Sequence, residues 1–233
     1  MCEARCATVS QTALPVARRS RLDSLGFSIA GAVLLAIGVF ISANWVGTHV
    51  RAALLQRAAI GGARYAQAVV AREVQDAWIL DSFPADRRAA LMTPIDDGLV
   101  GDDVVSLKIW NADGRIVYSS NPANIGREYP VTGYQARAWA GESVAHVSDL
   151  TASENVNERA MASRLLETYS PVRQADTGQI VAVAELYERV DQLDRDVAAA
   201  ERHAALLSGA TALPVYVVVV MAVRRRADKP AEW

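Results

Sequence analysis

Two long apolar runs interrupt an otherwise mixed pattern of hydrophobic and polar positions. Residues 25–43 carry no charged side chain, and neither do residues 204–223. An α-helix rises about 1.5 Å per residue, so each run is long enough to cross the roughly 30 Å hydrocarbon layer of a membrane. Pro214 lies inside the second run, and membrane helices tolerate such a proline. We therefore predict transmembrane helices over residues 25–46 and 204–223.

Basic residues flank both apolar runs on the sides that face away from the middle of the chain. They are Arg18, Arg19 and Arg21 before the first run, and Arg224, Arg225, Arg226 and Lys229 after the second. Positive charges near the ends of membrane helices stay in the cytoplasm. We predict cytoplasmic tails at residues 1–24 and 224–233 and an extracytoplasmic domain at residues 47–203. The expected location is a bacterial inner membrane, with lipid as a partner and the domain in the periplasm.

The first half of the predicted outer domain combines a long helix with a hairpin. Residues 47–81 are rich in Ala, Arg, Gln and Leu and contain no Pro, which favours a helix. Residues 104–110 are β-branched and aromatic, residues 111–114 end in Asp-Gly, and residues 115–120 form a second strand pattern. This sequence is typical of a β-hairpin.

The second half predicts three more strands, at residues 144–150, 164–172 and 179–187, after a short helix at residues 134–140. Residues 151–158 are polar and predict a loop. Strands joined by hairpins pair antiparallel. The predicted fold class is α+β, with a long N-terminal helix covering one face of a five-stranded antiparallel sheet.

A heptad-like seam leads from the last strand into the second apolar run. Its apolar positions are spaced 3, 4, 3, 4 and 3 residues apart: Val190, Leu193, Val197, Ala200, Ala204 and Leu207. Such a seam predicts a helix that packs along another helix. The partner is either the chain's own domain or a second copy, in which case the contact would carry a shift across the bilayer.

Composition excludes several function classes. Apolar residues make up 52% of the chain, charged residues 21%, and the net charge of -2 provides no basic field for nucleic acid. Cys2 and Cys6, the only cysteines, lack companions with metal-ligand spacing. The chain has neither a Gly-x-Ser-x-Gly nor a His-Glu-x-x-His motif, so we expect no enzyme activity, cofactor or metal.

Four segments carry a family resemblance: VSLKIWNADGRIVYS at 105–119, IGR at 125–127, LETYSPV at 166–172 and VAELY at 183–187. With the flanking apolar runs, residues 25–223 resemble the extracytoplasmic PAS-like domains, called Cache or PDC, of bacterial membrane sensor histidine kinases. Related domains occur in diguanylate cyclases and chemoreceptors. The resemblance implies a receptor of two-component-type signalling that detects an extracytoplasmic ligand and passes a conformational change through the second membrane helix.

The sequence departs from that family after the second apolar run. Such receptors continue into a phosphoacceptor helix and an ATP-binding domain, whereas this sequence ends at Trp233. We therefore expect a truncated or stand-alone sensor that acts as a homodimer or with a separate kinase. The alternatives are a non-enzymatic membrane adaptor that binds another membrane protein, or the sensor region of a cyclase or chemoreceptor.

Strand alternation places Lys108 and Trp110 on one face of the sheet. In PAS-like sheets the first strand pairs with the last, so the resemblance implies that Lys108 lies opposite Glu185. The candidate ligand-binding residues are Lys108, Trp110, Tyr118, Arg127, Tyr169, Glu185 and Tyr187. Lys108 or Arg127 would bind the carboxylate of an organic acid or amino acid. The alternative is an internal ion pair inside an aromatic core.

Overall fold

The computed structural model of the protein describes residues 16–74, five single residues between Phe83 and Thr93, and residues 103–227. The α-helices that the structure describes over their full length are α1 (Val16–Tyr65), α2 (Ala71–Glu73), α3 (Gly133–Trp139) and α4 (Asp191–Ala227). The strands are β1 (Val104–Trp110), β2 (Ile116–Ser119), β3 (Val144–Ser148), β4 (Leu165–Arg173) and β5 (Ile180–Arg189). Cys2 and Cys6 lie outside the described residues.

The chain divides into two compact units. One unit combines the chain up to Val46 with the chain from Ala200 onward, and the other is Gly47–Ala199. Helices α1 and α4 each contribute to both units.

The first unit consists of two apolar helical segments that are long and apolar enough to cross a membrane. Large apolar side chains on them face outward, with Phe40 73% and Leu206 69% exposed. Within this unit the hydroxyl groups of Ser42 and Ser208 lie 2.8 Å apart, and the Tyr216 hydroxyl donates to the Ser28 carbonyl. An outward apolar surface is unfavourable in water and favourable in lipid, so these segments are candidate membrane spans.

The second unit is built on a five-stranded antiparallel sheet with the order β2-β1-β5-β4-β3. The predicted α+β class, long N-terminal helix and antiparallel sheet are confirmed. Strand β3 ends at Ser148, two residues before the predicted end, because the chain turns there and Leu150 has φ 59°. The predicted loop at 151–158 contains a 3-10 turn, Ser153–Asn155, and the start of another, Glu158–Ala160.

The C-terminal part of α1 covers one face of this sheet. Helix α1 ends at Tyr65, and a π-helical turn, Ala66–Val70, continues it into α2. Tyr65, Ala66 and Val70 pack against Leu107 and Ile109 of β1. Gly62 permits the close approach, because a Cβ there would lie 2.4 Å from Cγ2 of Thr168. This face therefore forms an apolar core between helix and sheet.

Part of the predicted apolar seam is used inside the domain. Val190, Leu193 and Val197 are buried, and they cluster with Val50 and Leu54 of α1. For these three positions, packing on the chain's own domain is therefore the observed arrangement.

A β-bulge in the first hairpin corrects one predicted position. Ile109 pairs with Tyr118, whereas the next residue, Trp110, pairs with Ile116, so Val117 has no separate partner. An extra residue in one strand changes the side of the sheet to which later side chains point. Tyr118 consequently lies on the face covered by helix, in the same apolar cluster as Ile109, and not on the face of Trp110.

Candidate functional site

A cavity of about 190 Å³ opens on the sheet face opposite the helix. Its walls come from α3, from β3 and β4, and from the segment that follows β3. Aromatic lining residues are Trp110, Tyr129, Tyr134 and Tyr169, and acidic ones are Asp149, Glu154 and Glu167. His146, Gln135 and Asn155 also line it. The cavity is therefore aromatic and acidic together.

Stacked rings form one wall of the cavity. The ring centroids of His146 and Tyr134 lie 3.7 Å apart, and that of Tyr169 lies 6.1 Å from His146. Trp110 and Tyr129 meet edge to face at 6.0 Å. Burial lowers the pKa of His146 below its ordinary value, which favours the neutral imidazole.

Lys108 lies fully buried next to the cavity, and protein acceptors surround its ammonium group. Its Nζ donates to the Glu154 carbonyl (2.9 Å), to Oδ1 of Asn155 (3.1 Å) and to the Tyr187 hydroxyl (2.7 Å). It also pairs with Oε2 of Glu158 at 3.2 Å. An ammonium group has three protons, so these four acceptors leave none for a ligand.

Glu185 is also fully buried, and Tyr187 links it to Lys108 in one buried network of hydrogen bonds. Nε1 of Trp110 donates to Oε2 of Glu185 at 2.7 Å, and the Tyr187 hydroxyl lies 2.5 Å from its Oε1. That hydroxyl also lies 2.6 Å from Oδ1 of Asn155, yet it has one proton for two acceptors. A protonated Glu185 resolves the conflict by donating to Tyr187. Desolvation by burial raises the pKa of Glu185, which favours that form.

Glu167 joins the buried network to the cavity. The Asn155 side-chain amide donates to its Oε1 at 2.7 Å, and the Tyr169 hydroxyl donates to its Oε2 at 3.2 Å. Nε2 of His146 lies 3.4 Å from the same Oε2. Burial is the largest cause that raises the pKa of Glu167, to about 7. Glu167 is thus a lining carboxyl group whose raised pKa lies near neutral pH.

The structure brings together five of the seven predicted site residues. Lys108 pairs with Glu185 in the β1–β5 ladder, as predicted. Trp110 and Tyr169 line the cavity, and Lys108, Glu185 and Tyr187 lie in the network next to it. The ion pair of Lys108, however, is with Glu158 rather than with Glu185.

The remaining two predicted residues lie elsewhere. Tyr118 is on the opposite sheet face for the reason given above. Arg127 is exposed on the segment after β2, and it does not belong to the residues that line the cavity. Neither predicted cation, Lys108 or Arg127, is therefore placed to bind a ligand carboxylate in this cavity.

Several important residues were missed by reasoning from the sequence. Asn155 and Glu158 lie in the predicted loop, where no periodicity indicates a buried side chain. His146 and Gln135 line the cavity, and only their places in a weak strand and a short helix could have suggested them. Glu167 could have been found, because strand alternation puts it on the same face as Tyr169.

Comparison with known proteins does not identify a family for this chain. No protein-family model matches the chain, and no curated protein matches it. The PAS-like resemblance of the strand segments therefore stays an expectation.

Proposed function

We propose that the chain is a membrane-anchored receptor of two-component-type signalling. In this proposal, the Gly47–Ala199 unit is a Cache-type domain that binds a small extracytoplasmic ligand. The observation that carries the proposal is the short path from the cavity to α4. Glu185 and Tyr187 of the buried network lie in β5, and only Val190 separates the end of β5 from the start of α4.

The topology supports the Cache-type part of the proposal. The first and last strands, β1 and β5, pair along their length, as the resemblance implies. A long helix covers one face of the sheet, and the other face carries the cavity. Binding sites are typically cavities in which a few polar side chains converge and some titratable groups have shifted pKa values. Within this proposal the receptor passes its signal to a kinase, and a diguanylate cyclase or a chemoreceptor output is the alternative.

The proposed signal is a change in the preferred position of the start of α4. Asp194 of α4 pairs with Arg164 at 2.7 Å and with Arg51 at 3.5 Å, so three segments meet there. A ligand shifts such an equilibrium only if it binds the two arrangements with different affinity. A ligand at the cavity meets that requirement when it changes the hydrogen bonds of Glu167, Asn155 and Tyr187.

Cysteine labelling tests the membrane part of the proposal. In a Cys2→Ser/Cys6→Ser background, Asp176→Cys lies in the exposed turn between β4 and β5, and Arg225→Cys lies near the end of α4. A membrane-impermeant maleimide added to intact cells, with the outer membrane permeabilised if there is one, should label position 176 and spare position 225. Labelling of 225 but not 176 would contradict the proposed orientation.

A fluorescent label at Arg225→Cys also tests signal transmission. The full chain in nanodiscs is titrated with small amines, organic acids and amino acids, and a ligand at 100 times its Kd should add about 2.7 kcal/mol to domain stability. The receptor proposal predicts that the same ligand changes the emission of the label at position 225. A membrane adaptor would instead show no ligand effect on stability or on the label.

A further inference from the structure

We infer that the cavity receives a small organic ammonium compound that also carries a neutral oxygen acceptor, such as an amino alcohol. This inference rests on the proposed receptor function, and it reverses the expected charge at the site. The carboxylate-binding role predicted for Lys108 and Arg127 gives way to cation binding by aromatic rings and carboxyl groups.

The lining of the cavity has an acidic balance. Asp149, Glu154 and Glu167 line it, and none of its described lining residues is Lys or Arg. Hydrogen bonds from Thr151 lower the pKa of Asp149, so that carboxyl group is ionised at neutral pH. A cationic ligand gains from this lining, whereas an anionic ligand is repelled.

Two basic groups next to the cavity are engaged by the protein itself. All protons of the Lys108 ammonium group have acceptors, as described above. Arg137 lies over the Tyr134 ring, 5.8 Å from its centroid, but it forms a 2.8 Å ion pair with Glu142. Neither group therefore offers a free positive charge to an anionic ligand.

Aromatic rings beside the carboxyl groups favour an organic cation. The faces of Trp and Tyr rings attract ammonium groups within about 6 Å, and Trp110, Tyr134 and Tyr169 line this cavity. The described residues contain no group of three or more His, Cys, Asp or Glu side chains arranged to hold a metal ion. The volume of 190 Å³ is below the range of about 300–1,000 Å³ typical of drug-sized ligands, so the cation is small.

Gln135 supplies an independent indication of a bound ligand. Its side chain lines the cavity, only 8% of the residue is exposed, and its Nε2 has no hydrogen-bond partner among the described residues. A buried amide donor without a partner is costly. An oxygen acceptor on the ligand would satisfy it, which is why an amino alcohol fits better than a simple alkylamine.

Proton linkage gives the inference a distinctive signature. Glu167 faces Lys108, Glu185, His146 and Tyr169, and its pKa lies at about 7 in the free protein. An ammonium ligand favours the ionised carboxylate, so binding releases a proton and the affinity rises as the pH increases. Between pH 6 and pH 8 the ionised fraction rises about tenfold for a pKa near 7, and the affinity should follow. An anionic ligand would show the opposite dependence.

Three probes of matched size test the charge preference: ethanolamine, ethylene glycol and glycolate. Each is titrated into the full chain in nanodiscs at constant ionic strength, and binding is followed by calorimetry in buffers of different ionisation enthalpy. We expect ethanolamine to bind at least tenfold more tightly than glycolate or ethylene glycol, with proton release. Tighter binding of glycolate, or no binding of ethanolamine, would overturn the inference.

Two variants and a control locate the binding. Glu167→Gln should weaken ethanolamine binding at least tenfold and remove its pH dependence, and Tyr169→Phe should weaken it less and keep that dependence. Asp176→Asn, a carboxyl group in the exposed turn between β4 and β5 and not among the lining residues, should change neither. Thermal unfolding of each free variant establishes that it is folded. Unchanged ethanolamine affinity in folded Glu167→Gln would exclude this site.

The label at Arg225→Cys separates this inference from the receptor proposal. If glycolate binds best and changes the label's emission, the result supports the receptor proposal and contradicts the cation preference. If ethanolamine binds in a way that depends on Glu167 but does not change the emission, the result supports the cation site and contradicts signal transmission.

Discussion

The two faces of the same sheet are buried to a similar extent but have opposite chemistry. Toward the helix, Leu107, Ile109 and Leu186 belong to an apolar core with Tyr65 and Val70. On the other face, the neighbouring positions on the same two strands carry Lys108 and Glu185, both fully buried. Burial alone therefore does not distinguish the face with the apolar core from the face with the buried polar network.

The difference shows what each face contributes. Apolar side chains gain free energy when they leave water. Buried charges lose solvation, and they persist only when they are paired, hydrogen-bonded or protonated. Lys108 is paired with Glu158, whereas Glu167 and Glu185 have raised pKa values. The buried charges of the polar face thus cost desolvation free energy that an apolar core would avoid, which agrees with the proposed binding role.

The largest expected effect comes from Lys108→Met on the polar face. The substitution leaves Glu158 buried without its cation, and breaking one partner of a buried pair costs about 3–5 kcal/mol. Chemical denaturation of the full chain in nanodiscs measures the loss. The double variant Lys108→Met/Glu158→Gln should recover much of it, and additive losses would contradict the pairing.

A pair of adjacent glycines tests the packing on the apolar face. Gly62→Ala should destabilise the domain by about 1–3 kcal/mol, because its Cβ would collide with the buried Thr168. Gly61→Ala meets open space, and it should stabilise the helix by up to about 1 kcal/mol. Equal effects in thermal unfolding would show that α1 does not approach the sheet as closely as described.

The raised pKa of Glu167 makes the stability of the domain depend on pH. The folded pKa of Glu167, about 7, lies above its unfolded value of 4.5. The folded state therefore binds more protons between these values, and stability falls as the pH rises toward 7 and levels off above it. Between pH 6 and pH 8, Glu167 alone should account for a loss of about 1 kcal/mol.

Two substitutions separate the contributions to this pH dependence. Burial and then Asp103 also raise the pKa of Glu188 to about 7, so Glu167→Gln should reduce the slope and Glu167→Gln/Glu188→Gln should reduce it further. His146, whose pKa is lowered, acts in the opposite direction below about pH 6.5. Denaturation midpoints measured at pH 6, 7 and 8 give the slope, and stability that increases over this range would contradict the assignment.

The smallest effect is expected for the exposed ion pair between Arg137 and Glu142. Their side chains are 53% and 54% exposed, so solvent screens the 2.8 Å contact. Arg137→Ala should change stability by less than about 1 kcal/mol. A loss as large as that of Lys108→Met would mean that α3 depends on this pair.

Local patterns in the sequence determined much of the fold. Hydrophobic runs predicted the two candidate membrane helices, and alternation with an Asp-Gly turn predicted the first hairpin. The β1 bounds also agree with the prediction. These features depend on near neighbours along the chain or on the regular period of a strand, so the residues themselves contain the information.

The tertiary structure alone decided the chemistry of the site. The bulge at Val117 moved Tyr118 to the apolar face, and strand alternation does not indicate where a bulge occurs. Asn155 and Glu158 come from a loop whose burial depends on contacts with Lys108, 47 and 50 positions earlier in the chain. The sequence by itself thus determined which strands form, but not the register between β1 and β2. Closure of the loop over β1 then used all the donors of Lys108 and left carboxyl groups at the cavity, because a buried charge takes its partners from whichever segments fold against it.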